Sequence, residues 1–314
     1  MSNKKLLVVG ELNIDLILNQ IQGFPEIGTE KIAENMDFTL GSSSAILASN
    51  IAALGVSTSF CGLLGQDSFG DFILKELQKK KVNTRFVHRT QEAKTGITVV
   101  MNYDQDRANI TYCGAMNVLS MEHIPWGNIS EFSHLHFSNY FLQPGMKPFI
   151  AELFKKAKEE GLTTSLDLQV DPEDKWDFDY KNCLPFVDVF LPNESELLNL
   201  SGKNNLEDAI EMIKSYTNIL ALKLGDKGGR VVTKSEDITI KPYLNKKYKD
   251  AIGAGDSFNA GFLKKFIQGE TLSTCLEFAN LTGSLSTTAA GGTGAFRDEK
   301  EIEIKIQQIR NKKL

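Results

Sequence analysis

Apolar residues along the chain fall into two textures, continuous runs and amphipathic stretches, and their alternation predicts the fold. Lys5 to Gly10 (KLLVVG) is apolar throughout, as a strand buried on both faces of a parallel sheet must be. Between about Leu16 and Leu40 short alternating segments are punctuated by Gly23, Pro25 and Gly28, which predicts strands and turns outside that core. Gly41 to Leu54 reads as a helix: Ser42 to Ser44 offer capping hydroxyls, and Ala45, Leu47, Ala48, Ile51, Ala52 and Leu54 form a small-residue face suited to close packing on a sheet. Ser59 to Leu64 predicts a second buried strand and Phe69 to Lys80 a helix. Thr95 to Met101 and Asn109 to Tyr112 alternate about a polar turn, Tyr103 to Arg107, and predict one small covering sheet. From Leu135 onward apolar strands (HLHFSNY, TTSLDL, Asp188 to Leu191, ILALKLG, GRVVT) alternate with helices (Phe149 to Glu160, Asn205 to Tyr216, and one after Asp256). Strand, helix, strand in sequence predicts an α/β fold with a doubly wound, mostly parallel sheet.

Within that pattern Asp250 to Phe262 (DAIGAGDSFNAGF) carries the most chemistry. Gly253 and Gly255 permit a tight turn, and Phe258, Phe262 and Phe266 then recur at helical spacing. Successive N–H groups of Ala254, Gly255 and Asp256 at such a helix start converge on one point, where the helix dipole favours an anion. A carboxylate placed there, Asp256, suits a base that takes a proton from a hydroxyl attacking a phosphoryl group. It equally suits a simple helix cap. Both readings stand on the turn alone.

Other strand ends carry polar groups that would meet above the sheet: Asp15 after the first strand, Asp167 ending TTSLDL, Asn193, Glu194 and Glu196 after DVFLP, and Gly225, Lys227 and Gly228 after ALKLG. Carboxylates there can bind hydroxyls or hydrated magnesium, and a glycine turn admits nucleotide phosphates. Each also has an ordinary reading, as turn former, helix start or hairpin. GxxxxGK[ST], a GxGxxG after the first strand and GxSxG are all absent. His134 and His136 alternate on one strand and share a face; with no third ligand in view, a structural role competes with a metal.

Composition narrows the class. A chain of 314 residues with 41% hydrophobic and 24% charged residues suffices for one large core and something small. The formal net charge of −5 and the short, scattered basic clusters (Lys79 to Lys81, Lys246 and Lys247, Lys312 and Lys313) exclude a nucleic-acid stripe. Cys61, Cys113, Cys183 and Cys275 are widely spaced in apolar contexts and read as reduced buried thiols, which predicts a cytoplasmic address. The N-terminus reads as a first strand, its apolar run broken by Gly10, Glu11, Asn13 and Asp15, and no segment is long enough to span a membrane.

Taken together, these segments resemble the ribokinase-like, PfkB-type carbohydrate kinases over nearly the whole chain and in the right order. DAIGAGDSFNAGF matches that family's C-terminal signature. The resemblance implies ATP-dependent phosphorylation of a hydroxymethyl group, with Asp256 as the base and the amides of Gly253, Ala254 and Gly255 stabilising the transferred phosphoryl. It implies one ribokinase-like domain over residues 1–314, with a lid built from two insertions, about 16–40 and 95–113, that closes over a sugar and pairs with a second subunit's lid in a homodimer. VVGELNIDLIL resembles the first strand, whose terminal aspartate, here Asp15, binds substrate hydroxyls. LPNESE resembles the element in which Asn193 and Glu196 would order Mg²⁺ through water. LKLGDKGG is similar to the nucleotide-lining segment, implying Lys223, Gly225 and Gly228 near ATP, with Asn280 beside the adenine. Asp250, the backbone around Ile252 and the loop 289–294 would hold a monovalent cation such as K⁺.

The departures concern the substrate. The family's N-terminal signature has two glycines and an asparagine; GSSSAILASNIAALG supplies Gly41 but puts Ser42 and Ile46 at the other two places. Gln169 stands where asparagine is frequent, Ala251 replaces a common threonine, and Arg107 in the lid turn would reach a carboxylate or phosphate or else be solvated. Ile46 disfavours a ribose or fructose pose that needs a partner for its hydroxyl. A nucleoside kinase of the same fold and a non-catalytic sugar-binding regulator are the alternatives.

Overall fold

The computed structural model describes residues 4–103, 107–245 and 247–312. Part of the turn expected at Tyr103 to Arg107, together with Lys246 and Lys313, lies outside the described residues. Among the described residues thirteen strands form two sheets: β1 (Lys5–Gly10), β2 (Asn13–Asn19), β3 (Asn35–Leu40), β4 (Ser57–Gly65), β5 (Asn83–Thr90), β6 (Gly96–Asn102), β7 (Arg107–Tyr112), β8 (His134–Ser138), β9 (Thr163–Asp167), β10 (Val189–Phe190), β11 (Ile219–Lys223), β12 (Gly229–Val232) and β13 (Asp237–Ile240). The helices are α1 (Ser43–Ala53), α2 (Ser68–Lys79), α3 (Ile150–Glu159), α4 (Tyr180–Cys183), α5 (Glu194–Ser201), α6 (Leu206–Lys214), α7 (Ala254–Gln268), α8 (Leu272–Ser286) and α9 (Glu299–Arg310).

The large sheet runs β5-β4-β1-β8-β9-β10-β11 in parallel, then continues antiparallel through β12 and β13. Its buried faces explain the continuous apolar runs. In β1, Leu6 and Val8 point into a core shared with α1, α2, α7, α8 and α9, while Leu7 and Val9 point into one shared with α3, α5 and α6. The antiparallel part of the mostly parallel sheet follows the hairpin reading of GDKGG, and one strand was missed. GRVVT is an antiparallel strand, β12, hairpinned to β11 across the GDKGG turn, where Gly228 adopts a φ of 97°. β5 was missed because it is an edge strand of mixed polarity (NTRFVHRT) in which Phe86 alone is buried, so neither texture marks it.

The small sheet runs β3-β2-β6-β7, antiparallel except where β2 lies beside β6. Its register sorts the side chains by face. Asp15, Thr98 and Thr111 lie in one cross-strand row, and Phe38, Leu16, Val99 and Ile110 occupy the next row on the opposite face. Asp15 therefore does not end the first core strand; β1 stops at Gly10, and Asp15 sits in the small-sheet strand β2. Arg107 likewise is the exposed first residue of β7 rather than part of the turn. On the far face Phe38 packs on Phe72 and Phe69 of α2, with ring centroids 4.7 and 5.8 Å apart.

Cys61, Cys183 and Cys275 are buried free thiols, whereas Cys113 is half-buried. Among the described residues no helix is long and apolar enough to cross a membrane. His134 and His136 do share a face, and hydroxyls engage three of their four ring nitrogens, His136 Nε2 being buried without a hydrogen-bond partner. Ser165 Oγ lies 2.7 Å from His134 Nε2 and 2.8 Å from His136 Nδ1, and Thr163 Oγ1 lies 2.7 Å from His134 Nδ1. Burial holds both rings neutral, His136 titrating at about 3. Replacing the shared hydroxyl, Ser165→Ala, leaves two buried ring nitrogens without that partner. It should cost about 1–3 kcal/mol in urea denaturation; an unchanged midpoint would mean the hydroxyl is not what satisfies the pair.

Candidate active site

The start of α7 is built as its sequence requires. Gly253 is the N-cap residue at φ 70°, a left-handed conformation, and no side chain caps the helix. Ala254 N–H is not free for an anion as expected, because it donates to the Ala251 carbonyl at 3.1 Å. The following amides, Gly255 and Asp256, belong to the first turn, where no intrahelical acceptor exists. Asp250 braces the turn from outside: its two carboxylate oxygens accept from Ile252 N (2.9 Å) and Gly291 N (3.0 Å), tying turn to loop. Asn50 of α1, which sequence reasoning passed over, does the same from beneath by donating to Ser257 Oγ and Gly292 O, both at 2.9 Å.

Two cavities meet at this turn. One, about 540 Å³, lies between the large sheet and the small one and is walled by Asp15, Ser42, Ile46, Arg107, Gln169 and Asp256, and by Asn193 and Glu196. The other, about 350 Å³ and mostly apolar, is walled by Gly228, Pro242, Tyr243, Phe258 and Asn280. Lys223, Gly225, Ala251, Ala254 and Gly255 line both. A wider groove of about 770 Å³ runs along α9, but exposed Glu299, Glu303 and Gln307 line it and it holds no comparable cluster.

The polar cavity is short of positive charge. Burial pushes Asp15 up to about 6, against hydrogen bonding from Asn13 and the charge of Arg107. Burial likewise raises Glu11, whose carboxylate accepts from the backbone and hydroxyl of Ser44. Glu196 reaches about 7, again mainly through burial, with Lys223 opposing. Asp256 is held well above the ordinary carboxylate range by burial and by the charge of Asp167, with Lys223 pulling the other way. The Lys223 ammonium, nearly buried, bonds Asp167 Oδ2 at 2.7 Å. Burial alone would lower its pKa; the charges of Asp167 and Glu196 outweigh that and raise it.

The remaining expected residues are placed as follows. Asn193 caps α5, and Glu196 returns the contact, accepting from Asn193 N (2.9 Å) and Nδ2 (2.7 Å). Asn280 Nδ2 is engaged by the carbonyls of Ile240 and Lys241. Ile46 packs its methyls against Gly253 and Gly292, where a Cβ on Gly253 would lie 3.1 Å from Ile46 Cγ2. Gly41 lacks a Cβ because the Asp15 carboxylate stands there. Ser42 takes a φ of 68°, and its hydroxyl compensates, donating to Glu11 O (2.7 Å) and accepting from Ala45 N (2.9 Å). Glu11, Asn13, Thr98 and Asn139 also wall the polar cavity and were missed. The small-sheet threonines escaped notice because only strand register brings Thr98 beside Asp15, and Asn13 Nδ2 then bonds Thr98 Oγ1 at 2.8 Å.

The family model for pfkB family carbohydrate kinases matches residues 3–299. The chain is 26% identical to a ribokinase of Lactococcus lactis over 310 residues, covering 97% of this chain and 98% of that one. The solved ribokinase of Arabidopsis thaliana, complexed with ribose and ATP, superposes with a TM-score of 0.84 at 24% identity, covering 98% and 99% of the two chains. A nucleoside kinase of Methanocaldococcus jannaschii gives 0.79 at 21% identity over 97% and 98%.

The raised Asp15 carboxyl has a measurable consequence for the ligand-free protein. A folded-state pKa of about 6, above the ordinary 3.8, means protonation favours the folded form. That contribution is complete below pH 4 and is lost as pH rises through 6. Thermal melts of Asp15→Asn and wild type across pH 4 to 8 should therefore diverge, the variant gaining relative stability toward neutral pH. Parallel curves would remove the burial argument.

Proposed function

The chain belongs to the pfkB family of carbohydrate kinases, and on that premise we propose that it transfers the γ-phosphoryl group of ATP to a hydroxymethyl group of a small polyhydroxylated substrate. The observation that carries this reading is the meeting of a polar and an apolar cavity at the GAGD turn, with Asp256 on the polar side. An apolar slot with Asn280 and the GDKGG turn at its wall suits a nucleotide base and the path of its phosphates. The polar cavity offers acceptors for hydroxyl groups: Asp15, Asn13 and Thr98 on the lid side, Glu11 and Gln169 below.

In this reading Asp256 accepts the proton of the substrate hydroxymethyl as that oxygen attacks phosphorus. The first-turn amides and the dipole of α7 receive the charge on the transferring group. Glu196 and Asn193 fit a hydrated Mg²⁺, since both present oxygen atoms and a carboxylate held at about 7 by burial is one that a cation would return to the charged form. Bound there, Mg²⁺ would neutralise phosphate charge. Ile46 shapes specificity: a hydroxyl pressed against it would be buried unpaired at a cost of about 1–3 kcal/mol, so the preferred substrate turns a carbon face toward α1.

ADP release measured over pentoses, hexoses, sugar acids, phosphosugars and nucleosides tests the reading and names the substrate class. Asp256→Asn should lower turnover about 100- to 10,000-fold with the fold intact; a fully active variant would sink the assignment of the base. Glu196→Gln should raise the Mg²⁺ concentration for half-maximal rate by about tenfold or more. No change in Mg²⁺ dependence would remove Glu196 from that role.

A further inference from the structure

One carboxylate that lines neither of the two cavities organises groups that do. Asp167, at the end of β9, is fully buried, and its Oδ2 accepts from three side chains: Lys223 Nζ at 2.7 Å, Gln169 Nε2 at 2.9 Å and Asn259 Nδ2 at 2.5 Å. Two of those three act on the catalytic turn. Gln169 Nε2 also lies 3.2 Å from Asp256 Oδ1, so one amide nitrogen bridges the two carboxylates. A Cβ built on Gly255 would stand 3.9 Å from Lys223 Nζ, which puts the ammonium directly beneath the helix start. Gln169 reaches its place only by adopting a φ of 62°, unusual for a residue with a side chain. Asp167 therefore sits where the ends of β9 and β11 converge with α7.

We propose that Asp167 is a positioning residue for phosphoryl transfer: it holds the Gln169 amide against Asp256 and anchors the Lys223 ammonium under the anion-binding turn. The proposal rests on Asp256 being the base, and it assigns to Asp167, Gln169 and Lys223 the orientation of that carboxylate and the balance of charge around it. Charged groups face Asp256 from four directions: Glu11 from the β1–β2 connection, Asp167 from β9, Glu196 from α5 and Lys223 from β11. Lys223 is the one cation among them. Removing it takes away a charge that favours the Asp256 carboxylate; removing the Asp167 charge takes away one that opposes it and releases the ammonium toward the turn.

The two substitutions must then act in opposite directions, which loss of packing alone would not produce. The readout is the titration of the Asp256 side-chain carboxyl by ¹³C NMR in ligand-free protein labelled at aspartate, its resonance identified by its disappearance in Asp256→Asn. In Lys223→Met the midpoint should rise by about one pH unit or more, in Asp167→Asn it should fall, and in the double variant it should return toward wild type. Circular dichroism and thermal melts establish that each variant is folded. Should the single variants not fold, Gln169→Leu keeps the buried pair and removes the bridging donor, and the midpoint should rise. A midpoint that stays at the wild-type value in folded variants overturns the proposal. Because no substrate is needed, this outcome is separable from failure of the kinase reading, which would appear as unimpaired phosphoryl transfer by Asp256→Asn.

Discussion

A lysine ammonium and an aspartate carboxylate, Lys223 and Asp167, lie 2.7 Å apart, the carboxylate fully buried and the ammonium nearly so, and the cavity end of the sheet is arranged around them. Moving two such charges out of water costs several kcal/mol each, which their attraction recovers only when further hydrogen bonds satisfy both. The amides of Asn259 and Gln169 supply those bonds to Asp167. The pair joins β9 to β11 across the short β10, whose two residues are bonded to both neighbours, and Asn259 adds α7 to the same point. An apolar pair of similar volume would close this part of the core at lower cost. Retaining charge here makes sense through what it does to the neighbouring cavities.

Those cavities differ in kind because the chain distributes its polar groups on one side of the GAGD turn. Four carboxyls, Glu11, Asp15, Glu196 and Asp256, are pushed up by burial around a single buried ammonium. Such a cluster binds protons more readily than water-exposed carboxyls do, and it will exchange them for any cation that reaches it. The apolar cavity beyond Lys223 carries Tyr243, Pro242 and Phe258 and no carboxyl of that set. A ligand spanning both would meet flat hydrophobic walls at one end and hydrogen-bond acceptors at the other, with the helix start between them.

What could be read in the sequence follows from the range of the interactions. The GAGD turn, the buried strands and the Asn193–Glu196 capping pair are local, decided within a few residues, and the structure has each of them. The alternating segments at Thr95 and Asn109 marked a small sheet because period-two patterning needs no knowledge of the partner strand. The buried trio was not legible. Asp167 and Lys223 are separated by 55 intervening positions and Asn259 lies further on; the strand-end rule brings the Asp167 and ALKLG ends to one side of the sheet, but nothing in either segment marks them as a pair or points to Asn259. Asp15 was placed on the wrong strand for a related reason: VVGELNIDLIL looks continuous, and only the structure reveals that Glu11 turns inward to Ser44 and divides β1 from β2. Edge strand β5 was invisible because its polarity follows solvent on one side and an irregular contact on the other.

Backbone strain gives an independent indication of where the molecule works. Three non-glycine residues with left-handed φ, Ser42 (68°), Asn139 (61°) and Gln169 (62°), wall the polar cavity. Each such conformation costs on the order of 1–3 kcal/mol and persists only where neighbours over-determine it. The neighbours are identifiable: Ser42 is bonded to Glu11 and Ala45, Asn139 N–H donates to the Asp167 carbonyl at 2.9 Å, and Gln169 is bonded to Asp167. Two of the three are thus held by the same buried aspartate. Glycine at any of these positions would relieve the strain but would remove the side chain that faces the cavity. The chain keeps polar side chains in conformations that favour glycine, and it does so at the meeting point of strand ends, buried charge and helix start.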